Sequence, residues 1–162
     1  MDEIRATIFL ENQRDRILAE AGHLLLDQIR RVRVDALVDT GAVMTLLPQD
    51  VVENLGLSID GNIIVTLANE EKIELPRARF LSLTIANRQM DTDCLVGPVG
   101  PPQCEPLIGQ LVLERLDLVL DPLNRTIAPA RIAVPALTET EVNSGAEAES
   151  MIDLPLRLES GS

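Results

Sequence analysis

The segment with the clearest potential for chemistry is residues 36–48, where an acidic residue interrupts two apolar runs. Asp39 is followed by Thr40 and Gly41, and apolar residues lie on both sides of this triplet. Aspartate is seldom buried unless another group satisfies its charge. The flanks therefore predict a buried carboxylate, with a nearby threonine hydroxyl and a glycine that allows a tight turn and close backbone approach. An ordinary β-turn also uses such triplets, so the triplet alone is a weak signal.

The composition of the chain limits the classes of molecule that it could bind. The chain has 162 residues, 46% of them hydrophobic, which is enough for one domain with a sizeable core. Its net charge is −12, and its aromatic residues are two Phe, with no Trp or Tyr. A chain this acidic repels phosphate backbones and anionic membranes, so we expect no nucleic acid and no membrane partner.

The cysteine and histidine content points to neither a disulfide framework nor a metal site. Cys94 and Cys104 are the two cysteines, and His23 is the lone histidine. We expect the cysteines to be buried and reduced, although they could meet across the proline-rich segment between them. No secretory signal or membrane-spanning run is visible. The sequence thus predicts a cytoplasmic protein without a metal or another cofactor.

Apolar alternation and frequent turn signals predict short strands more often than helices. The predicted fold is all-β, a barrel or sandwich with one short helix near the C-terminus. A polar turn is expected at 11–15 and a second short helix at 48–55, which Gly56 would end. The predicted strands cover residues 6–10, 16–21, 29–38, 43–47, 62–68, 72–75, 80–85, 90–96, 106–109, 118–121 and 125–128, and the C-terminal helix covers 110–116.

The chain divides by composition near residue 134. Residues 1–134 are predicted to form the folded domain, and residues 135–162 an acidic tail. Residues 138–150 are small, polar and acidic and are predicted to be disordered, because they lack the apolar content to pack. Residues 151–158 regain apolar alternation, and adding a strand or occupying a cleft is an alternative for them.

The segment around Asp39 resembles the active-site signature of retropepsin-like aspartic proteases, in which two apolar residues precede an Asp-Thr/Ser-Gly-Ala turn. Three further features lie in the order that this family requires between residues 29 and 128. They are the apolar-apolar-Gly run Leu107-Ile108-Gly109 before the helix, the final strand at 118–121, and a hairpin at Asn69-Glu70-Glu71 where the family places its flap. The resemblance is greatest to bacterial stand-alone members.

This resemblance implies an aspartic endopeptidase in which two carboxylates share one proton and activate one water. Asp91-Thr92-Asp93 is not a second copy of the triplet, because its glycine is missing and its flanks are polar. An active enzyme would then be a homodimer of single-lobe protomers that acts on a peptide or protein substrate, with Asp39 from each subunit.

The same resemblance gives the neighbouring residues their roles. Thr40 would bond across the two subunits, Gly41 would admit the substrate backbone, and Ala42 would complete the turn. Ile108 and Gly109 would pack under the loop.

Two departures from the family leave alternatives open. Retroviral members carry two acids and an arginine where this chain has Val43, Met44 and Gln110, and the flap tip here has two acids and no glycine. One alternative is a dimerisation or peptide-binding module with little or no catalysis. Another is an unrelated β-barrel, which an exposed Asp39 would favour.

A short basic cluster, Arg30-Arg31-Val32-Arg33, stands out in the acidic chain. An exposed edge of a sheet, or pairing with acids of the same chain, explains it better than nucleic-acid binding.

Overall fold

The structure is a computed structural model that describes residues 3–101 and 103–130. The described residues form mostly β-strands with three short helices and one 3-10 turn. In chain order the elements are β1 (Ile4–Asn12), α1 (Gln13–Glu20), the 3-10 turn (Leu26–Gln28), β2 (Arg31–Val38), β3 (Leu46–Leu47), α2 (Gln49–Leu55), β4 (Ser58–Thr66), β5 (Lys72–Ile85), β6 (Arg88–Val96), β7 (Leu107–Ile108), α3 (Gln110–Arg115), β8 (Leu118–Asp121) and β9 (Thr126–Pro129).

Six strands form a closed barrel, which confirms the predicted all-β, retropepsin-like single-lobe fold. Their order is β1-β2-β7-β3-β6-β5, and pairing of β5 with β1 closes the ring. The strand β5 is long enough to pair with β4 through its first half and with β1 through its second. A register shift between Ala78 and Leu81, with Phe80 at φ 65°, bends β5 between these two roles. The last two strands form a separate two-stranded sheet.

The core lies inside this barrel and follows the period-two alternation of the strands. In β1, Ile8 and Leu10 are fully buried, whereas Phe9 between them is half exposed. The other strands and helices supply further side chains that are less than one-tenth exposed, among them Ala36, Val38, Leu47, Leu55, Leu81, Leu83, Ile85, Cys94, Val96, Ile108 and Val112.

The region after β1 differs from the prediction. Residues 16–21 were expected to form a return strand after a polar turn at 11–15, but β1 continues to Asn12 and the helix α1 follows. The Asn12 side chain accepts a hydrogen bond from the backbone N–H of Asp15 and caps this helix. Ile17 and Leu18, whose apolar character favoured a strand, are exposed on α1.

Most other predicted elements are present with changed ends, but the separate strands expected at 72–75 and 80–85 are one continuous strand, β5. The helix at 48–55 is α2, which ends at a left-handed Gly56, and the C-terminal helix is α3. The strand expected at 43–47 is reduced to Leu46–Leu47, because the residues before it form a loop. The predictions for the tail and for residues 151–158 lie outside the described residues, and the boundary at 134 stays a prediction. No described helix has the length and apolar content needed to span a membrane.

Candidate active site

Asp39 lies where β2 leaves the barrel, next to β7. The parallel pairing of the two strands places Val38 opposite Ile108, and the N–H of Asp39 donates to the carbonyl of Ile108 at 3.0 Å. One step earlier, the N–H of Leu37 donates to the carbonyl of Pro106 at 2.9 Å. The apolar residues on both strands favour this buried pairing. The backbone of Asp39 is therefore fixed by a strand that lies about 70 residues away in sequence.

The triplet forms a tight turn that orients the Asp39 carboxylate. The N–H of Ala42 donates to the Asp39 carbonyl at 3.2 Å, and the N–H of Gly41 donates to Asp39 Oδ1 at 2.9 Å. A Cβ on Gly41 would lie 3.2 Å from Oδ1, which is a tight contact. This Asx turn holds one carboxylate oxygen. No hydrogen bond from residues 3–101 or 103–130 reaches the second oxygen, Oδ2.

We call residues 39–45 the Asp39 loop; its middle is attached to the N-terminus of α3. The N–H of Gln110 donates to the Ala42 carbonyl at 2.7 Å, and the N–H of Leu111 donates to the Val43 carbonyl at 3.1 Å. The first N–H groups of a helix have no partner inside it, so the loop carbonyls satisfy two of them. The helix and the loop thereby hold each other in place.

Gly109 is required at this junction because the loop backbone lies against it. A Cβ at this position would be 2.7 Å from the carbonyl carbon and oxygen of Val43 and 2.8 Å from the carbonyl oxygen of Ala42. Such distances force the backbone to move, since those atoms belong to no flexible side chain. Ile108 is fully buried one residue earlier. The structure thus brings Ile108 and Gly109 under the loop, and their importance for activity stays a prediction.

The Asp39 side chain is exposed in the single chain, so the expectation of a buried carboxylate is wrong. Thr40 and Gly41 are exposed as well, and Val43 is 69% exposed. The apolar flanks do enter the core, at Val38 and Leu47, but the turn between them points away from it. A solvated carboxylate avoids the desolvation cost that burial would bring. The Thr40 hydroxyl makes no hydrogen bond within the described part of the chain.

Sequence reasoning missed the role of Thr45, the last residue of the loop. Thr45 is 2% exposed, and its hydroxyl has no hydrogen-bond partner among the described residues. Its carbonyl accepts the N–H of Leu95 at 2.8 Å, which joins the loop to β6. The signal in the sequence was a hydroxyl residue within the apolar run 43–47.

The other end of α3 has a support that the sequence did not reveal. Arg88, at the start of β6, donates from one guanidinium nitrogen to the carbonyl of Leu116 at 2.7 Å and to that of Asp117 at 3.2 Å. Cationic side chains near the last carbonyls of a helix stabilise its C-terminus. The helix that supports the Asp39 loop is therefore held at both of its ends.

The candidate flap is the tip of the β4–β5 hairpin, residues 67–71, which we call the hairpin tip. Its hydrogen bonds stay within the tip: the N–H of Leu67 donates to the Glu71 carbonyl at 2.7 Å, and the N–H of Glu71 donates to the Asn69 side chain at 3.0 Å. Glu70 has a left-handed φ of 69°. All five side chains are exposed. Within the described ranges, no hydrogen bond or ion pair joins the tip to the Asp39 loop.

The remaining acids and thiols near the barrel are engaged elsewhere. Asp91 accepts from Gln13 Nε2 at 3.0 Å, and Asp93 lies 3.9 Å from an Arg77 guanidinium nitrogen, so neither mimics Asp39. Cys94 and Cys104 are both free thiols, and burial raises the pKa of Cys94 to about 12. Across the described residues, no group of three or more His, Cys, Asp or Glu side chains could hold a metal ion.

Comparison with known families adds an independent observation. A family model described as gag-polyprotein putative aspartyl protease matches residues 28–115. This range begins just before β2, contains the Asp39 loop and the hairpin tip, and ends with α3. No curated protein matches the chain.

Proposed function

This chain belongs to the gag-polyprotein putative aspartyl proteases, a retropepsin-like family, and we propose that it is an aspartic endopeptidase that works as a homodimer. The observation that carries the proposal is the Asp39 carboxylate, which a backbone-anchored turn presents to solvent with one oxygen held and the other open. A preorganised group of this kind is what hydrolysis by a carboxylate needs.

The reaction needs two carboxylates, and the chain offers one in a turn of this kind. Two carboxylates close together share a proton, so that one acts as base while the other acts as acid. We therefore assign the second carboxylate to Asp39 of a second copy of the chain. The exposure of Asp39, Thr40 and Gly41 supports this arrangement, since a contact between two loops requires an uncovered loop.

The proposed reaction consumes one water molecule for each peptide bond. The ionised Asp39 takes a proton from the water, whose oxygen bonds to the carbonyl carbon of the substrate. The protonated Asp39 of the other copy gives its proton to the carbonyl oxygen. In the second step the Asp39 that took the water proton gives it to the amide nitrogen, and one hydroxyl of the tetrahedral intermediate returns its proton to the Asp39 of the other copy. The carbon–nitrogen bond breaks, and the products are a carboxylic acid and an amine.

The contact between the copies would be mainly apolar at its centre. The retroviral ion-pair residues are replaced, and here the Gln110 side chain donates to Glu114 of its own helix at 3.2 Å. Val43 offers an exposed apolar side chain next to the turn instead. Thr40, whose hydroxyl has no partner in the described ranges, is the candidate for a hydrogen bond to the other loop.

A dimerisation or peptide-binding module with weak catalysis is the second candidate. The hairpin tip favours it, because three internal hydrogen bonds hold a glycine-free turn in one conformation. If substrate entry requires the hairpin tip to move, these hydrogen bonds slow that movement and therefore slow substrate entry.

The test is cleavage of a peptide library by the full chain and by Asp39→Asn. Wild type should cleave with a bell-shaped pH profile, because one carboxyl must be ionised and the other protonated. Asp39→Asn should not cleave, although its side-chain oxygen can still accept from Gly41.

Two further measurements test the dimer. Below the dimer dissociation constant, the rate should rise with roughly the square of chain concentration. Excess Asp39→Asn chain should inhibit the wild-type enzyme, since each mixed dimer holds only one Asp39 carboxylate. A monomer that cleaves with a rate linear in concentration contradicts the proposal. A stable dimer that cleaves nothing at any pH favours the binding module.

A further inference from the structure

A groove on the outside of the barrel lies on the face opposite to the core. It has a volume of about 600 Å³ and crosses β2, β1, β5 and β6 beside α1. One row of paired residues across these strands is Arg33, Phe9, Thr84 and Gln89, and the next is Arg31, Glu11, Ser82 and Asp91. We call this surface the outer groove. From Arg33 to Asp39, β2 advances by about 20 Å, so the groove is separate from the Asp39 loop.

The acid at the centre of the groove is already neutralised. Arg16 donates to both oxygens of Glu11 at 2.8 Å, and Arg31 lies 3.8 Å from the same carboxylate. Hydrogen bonds from Arg16 hold the pKa of the Glu11 carboxyl below its usual value. Gln13 in turn donates to Asp91, which is paired with Ser82 on the neighbouring strand. The acid of the groove without such a bond is Glu20, at the end of α1.

Arg33 is a cation without a partner in this groove. Its guanidinium makes no ion pair or hydrogen bond with residues 3–101 or 103–130, and the side chain is exposed. Beside it, Phe9 leaves 52% of its surface exposed. The groove lining holds three arginines, Arg16, Arg31 and Arg33, against the two acids Glu11 and Glu20.

The other polar groups of the groove can donate hydrogen bonds. Ser82 is 3% exposed, and its hydroxyl oxygen accepts from Gln89 Nε2 at 2.6 Å. The hydroxyl proton of Ser82 has no acceptor in the described part of the chain and lies at the floor of the groove. Thr84 adds a second hydroxyl on the same face. A ligand that fits these donors must bring acceptors, and the free Arg33 favours an anionic one.

We propose that the outer groove binds an acidic peptide segment of a partner protein, with a carboxylate on Arg33 and an apolar side chain on Phe9. Four neighbouring strands span about 14 Å, which matches about four residues of an extended peptide. Arg33 supplies the fork of donors that suits a carboxylate. The groove lies in the same chain as the candidate active site but requires no catalysis, so this proposal goes beyond the proposed function.

The experiment measures binding of a fluorescein-labelled Glu-Glu-Leu-Glu-Glu peptide to the full chain by fluorescence polarisation near 0.15 M salt, where the Debye length is about 8 Å. The matched peptide Gln-Gln-Leu-Gln-Gln should bind about tenfold more weakly. Arg33→Gln should also weaken binding of the acidic peptide about tenfold. Arg115→Gln removes the same charge from an exposed site on α3 and should change affinity by less than about twofold.

Amide chemical shifts locate the bound peptide. The signals of Phe9, Arg33 and Thr84 should move, and they should move equally in Asp39→Asn, which separates this site from the proposed catalysis. The proposal is overturned if the acidic peptide does not bind at millimolar concentration, or if both peptides bind equally. It is also overturned if Arg33→Gln behaves like Arg115→Gln, or if the shifts centre on the Asp39 loop or the hairpin tip.

Discussion

The Asp39 loop and the hairpin tip are both exposed turns, but different contacts hold them. The loop is bound through its backbone to β7, to α3 and to β6, all of which come far later in the sequence. The hairpin tip is bound within its own five residues. Exposure of side chains therefore says little about how firmly a turn is fixed. We expect the loop to be rigid and sensitive to substitution, and the tip to tolerate change.

The largest contrast is expected between a glycine that packs against the Asp39 loop and a glycine in the β4–β5 hairpin. Gly109→Ala should lower the free energy of unfolding by about 3 kcal/mol, because its Cβ would overlap the backbone of Val43 and Ala42. Gly61→Ala in β4 should cost about 1 kcal/mol, since its φ is +77° but no atom lies within 4 Å of the new Cβ. Urea unfolding followed by circular dichroism measures both. Equal losses in the free energy of unfolding would show that the loop backbone moves aside for the new Cβ and would contradict this prediction.

The second contrast concerns two ion pairs, one with a buried acid near the end of α2 and one exposed on the β4–β5 hairpin. Arg30 donates from Nε and from its backbone N–H to Asp15 at 2.9 Å, while Asn12 beside them donates to the last carbonyl of α2, the helix after the loop. Asp15→Asn should destabilise the chain by about 2 kcal/mol at pH 7, because Asp15 is nearly buried. Asp60→Asn, in the exposed pair with Arg79 on the hairpin, should cost less than about 0.5 kcal/mol.

The pH dependence of stability tests whether the ionised Asp15 carboxylate is the source of this stabilisation. Hydrogen bonds from Arg30 hold the pKa of Asp15 below its usual value, so the unfolded chain binds a proton more readily than the folded one. The stabilisation is present above the unfolded pKa of about 3.9 and is lost as the pH falls through the lower folded value. The difference in stability between wild type and Asp15→Asn should therefore shrink as the pH falls below about 3.9. A difference that stays constant down to pH 2 would contradict this origin.

A smaller effect of opposite sign is expected inside the loop. Thr45→Val should raise the free energy of unfolding by about 1 kcal/mol, since it removes a buried hydroxyl that has no described partner and keeps the shape of the side chain. Thr66→Val in the hairpin should have almost no effect, because Thr66 is exposed and its hydroxyl is solvated. Thermal unfolding compares the pair. A loss of stability in Thr45→Val would mean that its hydroxyl has a partner after all.

The smallest effect is expected at the hairpin tip. Glu70→Gly relieves the strain of a left-handed backbone at a residue with an exposed side chain. The same change raises the conformational entropy of the unfolded chain, which opposes folding. The two effects nearly cancel, so stability should change by less than about 0.5 kcal/mol. Hydrogen exchange of the Glu71 amide should report the local change. A large global shift would show that the tip contacts more of the molecule than itself.

Local patterns predicted the strands and the position of the key motif well. Alternation placed the strands of the barrel, and the end of α2 followed from Gly56. The error at residues 16–21 arose because Ile17 and Leu18 indicated a buried strand, while the Asn12 cap and the buried Asp15–Arg30 pair determined a helix. Hydrophobic periodicity does not detect a helix cap made by one side chain, nor an ion pair between residues 15 positions apart.

The sequence indicated candidate residues for the site but not their surroundings. Apolar flanks suggested a buried Asp39, yet the flanks enter the core and the turn does not. The reason that Gly109 must be glycine is the backbone of the loop against it, and only the tertiary structure brings these two segments together. Arg88 at the end of α3 was missed for the same reason. A resemblance can indicate which residues matter without giving the contact that makes them matter.

The parallel pairing of β2 with β7 has a consequence for the newly made chain. Val38 and Ile108 are 70 residues apart, and at 5 to 20 residues per second a ribosome needs roughly 4 to 14 s to synthesise that interval. Throughout this time the residues that fix the Asp39 backbone do not yet exist, so the nascent chain carries the triplet without its geometry. The proposed endopeptidase activity would therefore begin only after residue 111 has left the ribosome, and a chain that stops earlier should lack it.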